Sequence, residues 1–146
     1  MKVQSLGHVV LRVTDLQRSE EFYNGLLGMD VCARFDEQGM KGTFFSLGNH
    51  HDLAIFEVSG SDAAAGKQAA GLDHVAFRIG DSLEVLVDAK AELEAAGIIP
   101  NPVDHEVTQS LYFDDPDGNN VELYVDASDA WRIEPQRVAQ AQPLEI

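Results

Sequence analysis

The sequence has a single cysteine, Cys32, and few bases. Ten Lys and Arg stand against 25 Asp and Glu, a formal net charge of −15 over 146 residues. One cysteine excludes an internal disulfide and fits a reducing, cytoplasmic compartment; Cys32 itself reads as a core residue. The acid excess argues against nucleic acid or an anionic membrane surface as a partner, since either would repel it. It leaves room for a cation held in a local site. No stretch approaches the roughly 20 apolar residues that span a bilayer. The start, MKVQSLGHVVLRV, lacks the apolar run of a signal peptide. Low-complexity sequence is confined to an Ala-rich stretch, residues 59–71, which reads as a linker. What is present is a globular composition, 45% hydrophobic and 24% charged, in a chain long enough for one domain with a sizeable core.

The most informative stretch is SLYFDDPDGNNVELYV, residues 110–125. It predicts two strands joined at Pro116, Asp117 and Gly118, since Pro pre-sets φ and Gly accepts positive φ. Strand side chains alternate, so Val121, Leu123 and Val125 share one face while Asn120, Glu122 and Tyr124 share the other. On the preceding strand Leu111 and Phe113 oppose Ser110, Tyr112 and Asp114. A carboxylate on an otherwise apolar sheet is costly unless something cationic meets it. Glu122 therefore needs a partner from elsewhere in the chain.

An internal repeat supplies candidates. GHVVLRV at residues 7–13 returns as DHVAFRI at 73–79, so His74 stands where His8 stood, 66 positions earlier. Each copy leads into a helical pattern. The first carries the stripe Leu16, Tyr23, Leu26 and Leu27, a Thr14–Gln17 capping box and Gly28 as its stop. The second, over 81–97, carries Leu83, Leu86, Val87 and Leu93 with an Asp81–Glu84 capping box. Strands follow near 31–35, 42–47 and 51–58, and again near 103–107, 110–114 and 119–125. The predicted fold is α+β: two βαβββ modules, about 4–58 and 72–126, joined by the linker and followed by a tail, 127–146. Two such modules can pair and enclose a cleft. In the tail Trp131 is placed to anchor against the core or a neighbouring subunit.

His8, His74 and Glu122 thus occupy related strand positions, each with apolar neighbours pointing the other way. A lone strand histidine is more often a hydrogen-bonded core residue. Two placed by a repeat, together with a carboxylate, make the two-imidazole, one-carboxylate set suited to non-haem Fe(II).

The segments GHVVLRVTDL, FYNGLLGM, LDHVAFRI and YFDDPDGNNVELYV resemble the vicinal oxygen chelate superfamily, over residues 4–126. That group includes glyoxalases, bleomycin- and fosfomycin-resistance proteins and extradiol dioxygenases. The resemblance implies paired βαβββ modules around a divalent metal, with His8, His74 and Glu122 as its ligands. A glyoxalase-like member would add a carboxylate on the last strand of the first module, where alignment of LAIFEV with VELYV places Ala54. His50-His51-Asp52-Leu53-Ala54 resembles the HH-x-LA stretch of extradiol enzymes, which implies an acid/base role for His51 and leaves His50 as a surface turn residue. Tyr112, ten residues before Glu122, matches the tyrosine that hydrogen-bonds bound diol, and Asp104-His105 resembles a pair lining the same pocket. The implied protein is a dimeric Fe(II) dioxygenase, with Mn(II) as the alternative metal, acting on an aromatic diol and dioxygen. The rival expectations are a glyoxalase- or epimerase-like metalloenzyme and a protein that sequesters an aromatic drug.

Overall fold

A computed structural model describes residues 8–37, 39–48, 51–58, 72 and 74–146. The linker expected over 59–71 and His50 lie outside the described residues. The chain divides into two compact units, Met1–Ala70 with Asp115–Asn119, and Gly71–Asp114 with Asn120–Ile146. The fold is α+β, with one sheet in each unit.

In the first unit β1 (Val9–Val13) leads into α1 (Leu16–Glu20), a π-helical turn over Glu21–Leu26, and then β2 (Asp30–Glu37), β3 (Met40–Ser46) and β4 (Leu53–Glu57). The strand order is β1-β4-β3-β2, with β1 parallel to β4 and the other pairs antiparallel. Alternation works as expected on β1: Leu11 and Val13 are buried, whereas Val10 is exposed. The helix cap differs from the expected Thr14–Gln17 box. Asp15 is the N-cap and accepts from the Arg18 amide at 3.0 Å, while the Gln17 side chain donates to Glu21. Cys32 is exposed rather than in the core. A β-bulge between Val31 and Ala33 breaks the alternation on which a core placement depends.

The turn Asp115–Asn119 belongs to this first unit, and two acids explain why. Asp115 is buried; its Oδ1 accepts from the amides of Asp117 (2.9 Å) and Asn119 (2.8 Å), and its Oδ2 accepts from the Tyr23 hydroxyl at 2.9 Å. Tyr23 is fully buried, and burial, then the Asp115 charge, pushes its hydroxyl far above the usual tyrosine range. Gly118 takes φ 82°, which an L side chain would strain. Asp117 reaches α1, accepting from the Thr14 hydroxyl, the Thr14 amide (3.1 Å), Arg18 (2.9 Å) and Ser19 (3.2 Å). Burial pushes the Asp117 carboxyl upward, but these donors outweigh it and hold it below the usual carboxylate range. Its stabilisation is therefore complete above the unfolded value, near 3.9, and fades as pH falls through the lower folded value. Asp117→Asn is expected to cost about 1–3 kcal/mol, the scale for hydrogen bonds to a charged group. Thermal melts from pH 7 to pH 3 should show the gap between parent and variant closing on acidification; a pH-independent gap would contradict this account.

In the second unit β5 (His74–Gly80) is followed by α2 (Leu83–Ala95), β6 (Asn101–Asp104), β7 (Thr108–Asp114) and β8 (Asn120–Asp126). The order is β5-β8-β7-β6-β9, where β9 (Gln142–Pro143) comes from the tail. The βαβββ repeat is thus present in both sheets. The tail does not simply drape: after short 3₁₀ turns at Ala130–Arg132 and Pro135–Ala139, it pairs antiparallel with β6. On α2 Leu86 and Leu93 are buried, but Leu83 and Val87 are exposed, so the apolar stripe is narrower than expected. Its N-cap is Ser82 rather than Asp81. Among the described residues no helix is long and apolar enough to cross a membrane.

Candidate metal site

Cross-strand partners point to the same side of a sheet. Ala76 pairs with Glu122 and Glu122 with Tyr112, while His74 pairs with Asn120 two residues away. One face of the second sheet therefore collects His74, Ala76, Tyr112, Glu122 and Tyr124. The opposite face carries Leu111, Phe113, Val121 and Val125, all buried. The carboxylate of Glu122 is buried, and its two oxygens have separate donors. Ser110 Oγ donates to Oε1 at 2.6 Å, and His74 Nε2 lies 3.2 Å from Oε2. These contacts offset the desolvation cost of the buried charge.

Tyr112 is held by a second histidine. His105 Nδ1 lies 2.7 Å from the Gln140 carbonyl and His105 Nε2 lies 2.9 Å from the Tyr112 hydroxyl. A carbonyl only accepts, so Nδ1 carries the hydrogen; in the neutral ring Nε2 then accepts from the Tyr112 hydroxyl. The tail, through Gln140, selects this tautomer. The His74 ring also meets the Tyr112 ring edge-on, centroids 5.6 Å apart.

In the first unit His8 is exposed at the start of β1, and its ring centroid is 4.2 Å from that of His51. His51 packs edge-on against Phe44 at 5.1 Å, and Phe44 belongs with Phe35 and Phe56 to an aromatic cluster. This cluster requires a glycine at position 42. A Cβ there would overlap the Phe35 and Phe56 rings and come within 2.8 Å of the Ile55 carbonyl oxygen.

The two registers bear on the question of a fourth ligand. Val10 pairs with Ala54 in the first sheet as Ala76 pairs with Glu122 in the second. Because His8 and His74 each stand two residues before those positions, Ala54 is the counterpart of Glu122. Glu57 is no substitute: its Oε1 accepts from the Leu16 amide at 3.0 Å, so it caps the start of α1.

The His74–Glu122 pair fits a divalent metal. Two ligands at right angles and about 2.1 Å from such an ion lie about 3 Å apart, close to the observed 3.2 Å. Ser110 on the other carboxylate oxygen is the kind of support that metal-bound carboxylates receive. Among the described residues no group of three or more His, Cys, Asp and Glu side chains converges as a ready-made metal cage. Ser110 and the Gln140 carbonyl were not singled out in the sequence. Ser110 was findable, since parity puts it on the face of Tyr112 and Glu122.

Known proteins support the same assignment of fold. The family model described as Glyoxalase/Bleomycin resistance protein/Dioxygenase superfamily matches residues 5–123. A biphenyl-2,3-diol 1,2-dioxygenase of Rhodococcus globerulus is 37% identical over 124 residues, which cover 83% of this chain and 63% of that protein. The chain spans less than two thirds of the length of the dioxygenases it matches. The glutathione transferase FosA of Serratia marcescens is 32% identical over 123 residues, covering 84% of this chain and 82% of that protein. A crystal structure of a glyoxylase/bleomycin resistance protein/dioxygenase domain from Frankia sp. EAN1pec superposes with a TM-score of 0.73 at 23% identity, over 86% of this chain and 99% of that one.

Proposed function

The chain belongs to the glyoxalase/bleomycin resistance protein/dioxygenase superfamily, and within it we propose that the protein is an extradiol dioxygenase opening the ring of a catechol-type diol. The observation that carries this reading is the His74–Glu122 pair beside Tyr112, together with Ala54 at the position where a fourth carboxylate would stand. The identity to the Rhodococcus dioxygenase supports it. His74 and Glu122, with His8 as the third ligand, would hold Fe(II), with Mn(II) the alternative. When bound, such a metal supplies Lewis acidity toward both oxygens of a vicinal diol and a redox partner for triplet dioxygen.

The remaining chemistry belongs to the chain. The Tyr112 hydroxyl donates to His105 Nε2, and the Tyr112 oxygen is the atom that would meet a hydroxyl of the diol. A proton leaving the diol can pass to the Tyr112 oxygen as the Tyr112 proton passes to His105. His51 serves as the acid/base that takes and returns a proton during ring opening. Fixing the His105 tautomer through Gln140 pre-orients this relay before substrate arrives.

Purified protein loaded anaerobically with Fe(II), given catechol and then air, should produce a yellow ring-opened acid. No ring cleavage of any catechol by fully loaded protein would remove the proposal. A second reading is supported by the match to 82% of the length of the glutathione transferase FosA: a transferase- or glyoxalase-like enzyme in place of a dioxygenase. Ala54 in the counterpart position of Glu122 speaks against a glyoxalase-like site with a fourth carboxylate.

A further inference from the structure

Among the described residues, Glu106 is the one non-glycine residue with a positive φ, 68°; every other such position is a glycine. A side chain in the left-handed region is strained and persists where surrounding contacts over-determine it. Glycine would take this φ without strain, so the carboxylate of Glu106 is what calls for a reason. Glu106 directly follows His105.

The contacts of Glu106 lead to the tail. Its amide donates to Asp104 Oδ1 at 2.7 Å, inside the hairpin that carries His105. The His105 amide donates to the Thr108 carbonyl at 2.8 Å and the Val107 amide to the His105 carbonyl at 2.7 Å. The Glu106 carboxylate accepts from Arg137, whose Nε donates on its other side to Glu134 at 2.9 Å. Arg137 lies on the 3₁₀ turn Pro135–Ala139, and the Gln140 amide caps that turn by donating to the Arg137 carbonyl at 3.2 Å. Gln140 in turn offers the carbonyl that receives His105 Nδ1–H. Beyond it, Gln142 Nε2 donates to Asp104 at 3.2 Å and β9 pairs with β6. A two-residue strand is a weak fastening by itself. The ion pair secures the other side of Gln140 and ties it to the residue next to His105. Gln140 is exposed, so water competes for both partners of its bond to His105 once the tail loosens.

We propose that Glu106 and Arg137 are positioning residues for the His105–Tyr112 pair: their ion pair holds the Gln140 carbonyl on His105 Nδ1 and keeps His105 in the tautomer whose Nε2 accepts from Tyr112. The inference deepens the proposed function, in which that pair serves the reaction, but its first readout needs no turnover. Protein carrying ¹⁵N-histidine would be loaded with diamagnetic Zn(II) and studied at pH 8, above the ordinary imidazole range. Couplings from the ring nitrogens to the carbon-bound ring protons separate Nδ1–H from Nε2–H rings. His105→Gln assigns the His105 signals among the five histidines of the chain. In the parent the Nδ1–H form of His105 should exceed the other by about ten-fold, the scale of one retained hydrogen bond. Arg137→Gln and Glu106→Gly should each bring the two forms within about three-fold of each other. Arg137→Lys, which keeps a cation opposite Glu106, should retain most of the parental preference. Glu106→Gly also relieves the left-handed backbone, so its melting temperature should stay within about 4 °C of the parent's. A merely structural role would instead tie the loss of preference to a loss of stability. In iron-loaded Arg137→Gln, at parental metal content, turnover per bound metal should fall about two-fold, in proportion to the lost Nδ1–H fraction.

A His105 ring that stays in the Nδ1–H form in both Arg137→Gln and Glu106→Gly would overturn the proposal, as would a parent ring in the Nε2–H form. Parental turnover in a variant whose tautomer is freed would overturn its bearing on the reaction. If the tautomer is freed in both variants while even the parent cleaves no diol, the positioning stands and the dioxygenase reading falls.

Discussion

Glu122→Ala is expected to bind a divalent metal at least about 10–100-fold more weakly than the parent, the loss already typical when only a supporting residue of a metal ligand is removed. The effect should be large because the imidazole of His74 would face the metal without its neighbouring carboxylate, and the two imidazoles left hold a hard divalent ion poorly without an anionic donor. The fold should survive. Glu122 is one residue on a strand whose other face, Val121, Leu123 and Val125, is packed into the core. Its removal also takes away a buried charge that two donors must otherwise satisfy. His74→Ala and His8→Ala should lose metal comparably. Ser110→Ala should lose less, since it leaves both donor atoms of the pair in place and removes only the bond that orients the carboxylate. The readout is metal content after dialysis against a fixed free concentration, with circular dichroism and a thermal melt for each variant. Parental metal content in any of the three ligand variants would strike that residue from the set. A Ser110→Ala loss equal to that of Glu122→Ala would mean that orientation, and not the donor atom, governs affinity.

The parts of this site that could be read in advance are those that follow from short-range regularities. Period-two alternation put Ser110 and Tyr112 on one face of their strand and Glu122 on the polar face of the next, and the observed register of β7 against β8 brings the two faces together. The repeat of GHVVLRV as DHVAFRI made His8 and His74 equivalent, and the parallel pairing in both sheets extends that equivalence to Ala54 and Glu122. What was not legible depends on which of several similar groups reaches a partner distant in sequence. Thr14, Asp15 and Asp117 are all plausible caps for α1; Asp15 takes the Arg18 amide, and Asp117, more than 90 residues later, takes Thr14 and Ser19. Asp115 looked like part of a turn, yet its second oxygen anchors the buried Tyr23. The strand of Gln142 and Pro143 is too short to show any alternation, and its register with β6 is what carries the tail past His105. Cys32 failed as a core residue for a related reason, since a bulge shifts parity without a signal in the local pattern.

His51→Gln should retain its metal and still slow ring cleavage by about 10²–10⁴-fold, the usual contribution of a positioned acid/base. Glutamine keeps comparable bulk and one hydrogen-bonding end, so packing against Phe44 and His8 is disturbed little, but it cannot carry a proton on and off at neutral pH. The closeness of the His8 and His51 rings gives the experiment a second edge. Two imidazoles with centroids 4.2 Å apart could exchange roles, so that His51, rather than His8, is the ligand. Metal content separates these cases: loss of metal in His51→Gln with retention in His8→Ala would reverse the assignment. Tyr112→Phe should slow the reaction less than His51→Gln, because it breaks the hydrogen bond that leads to His105 but leaves His51 to move its proton. His105→Gln would then add little to Tyr112→Phe, since the two residues act on the diol as one unit and their effects should not sum. Single-turnover cleavage in iron-loaded protein is the decisive measurement, with product formation expressed per bound metal. A parental rate for His51→Gln at full metal occupancy would end the acid/base assignment, and additive losses in the Tyr112–His105 double variant would show that the two residues do not share a proton path.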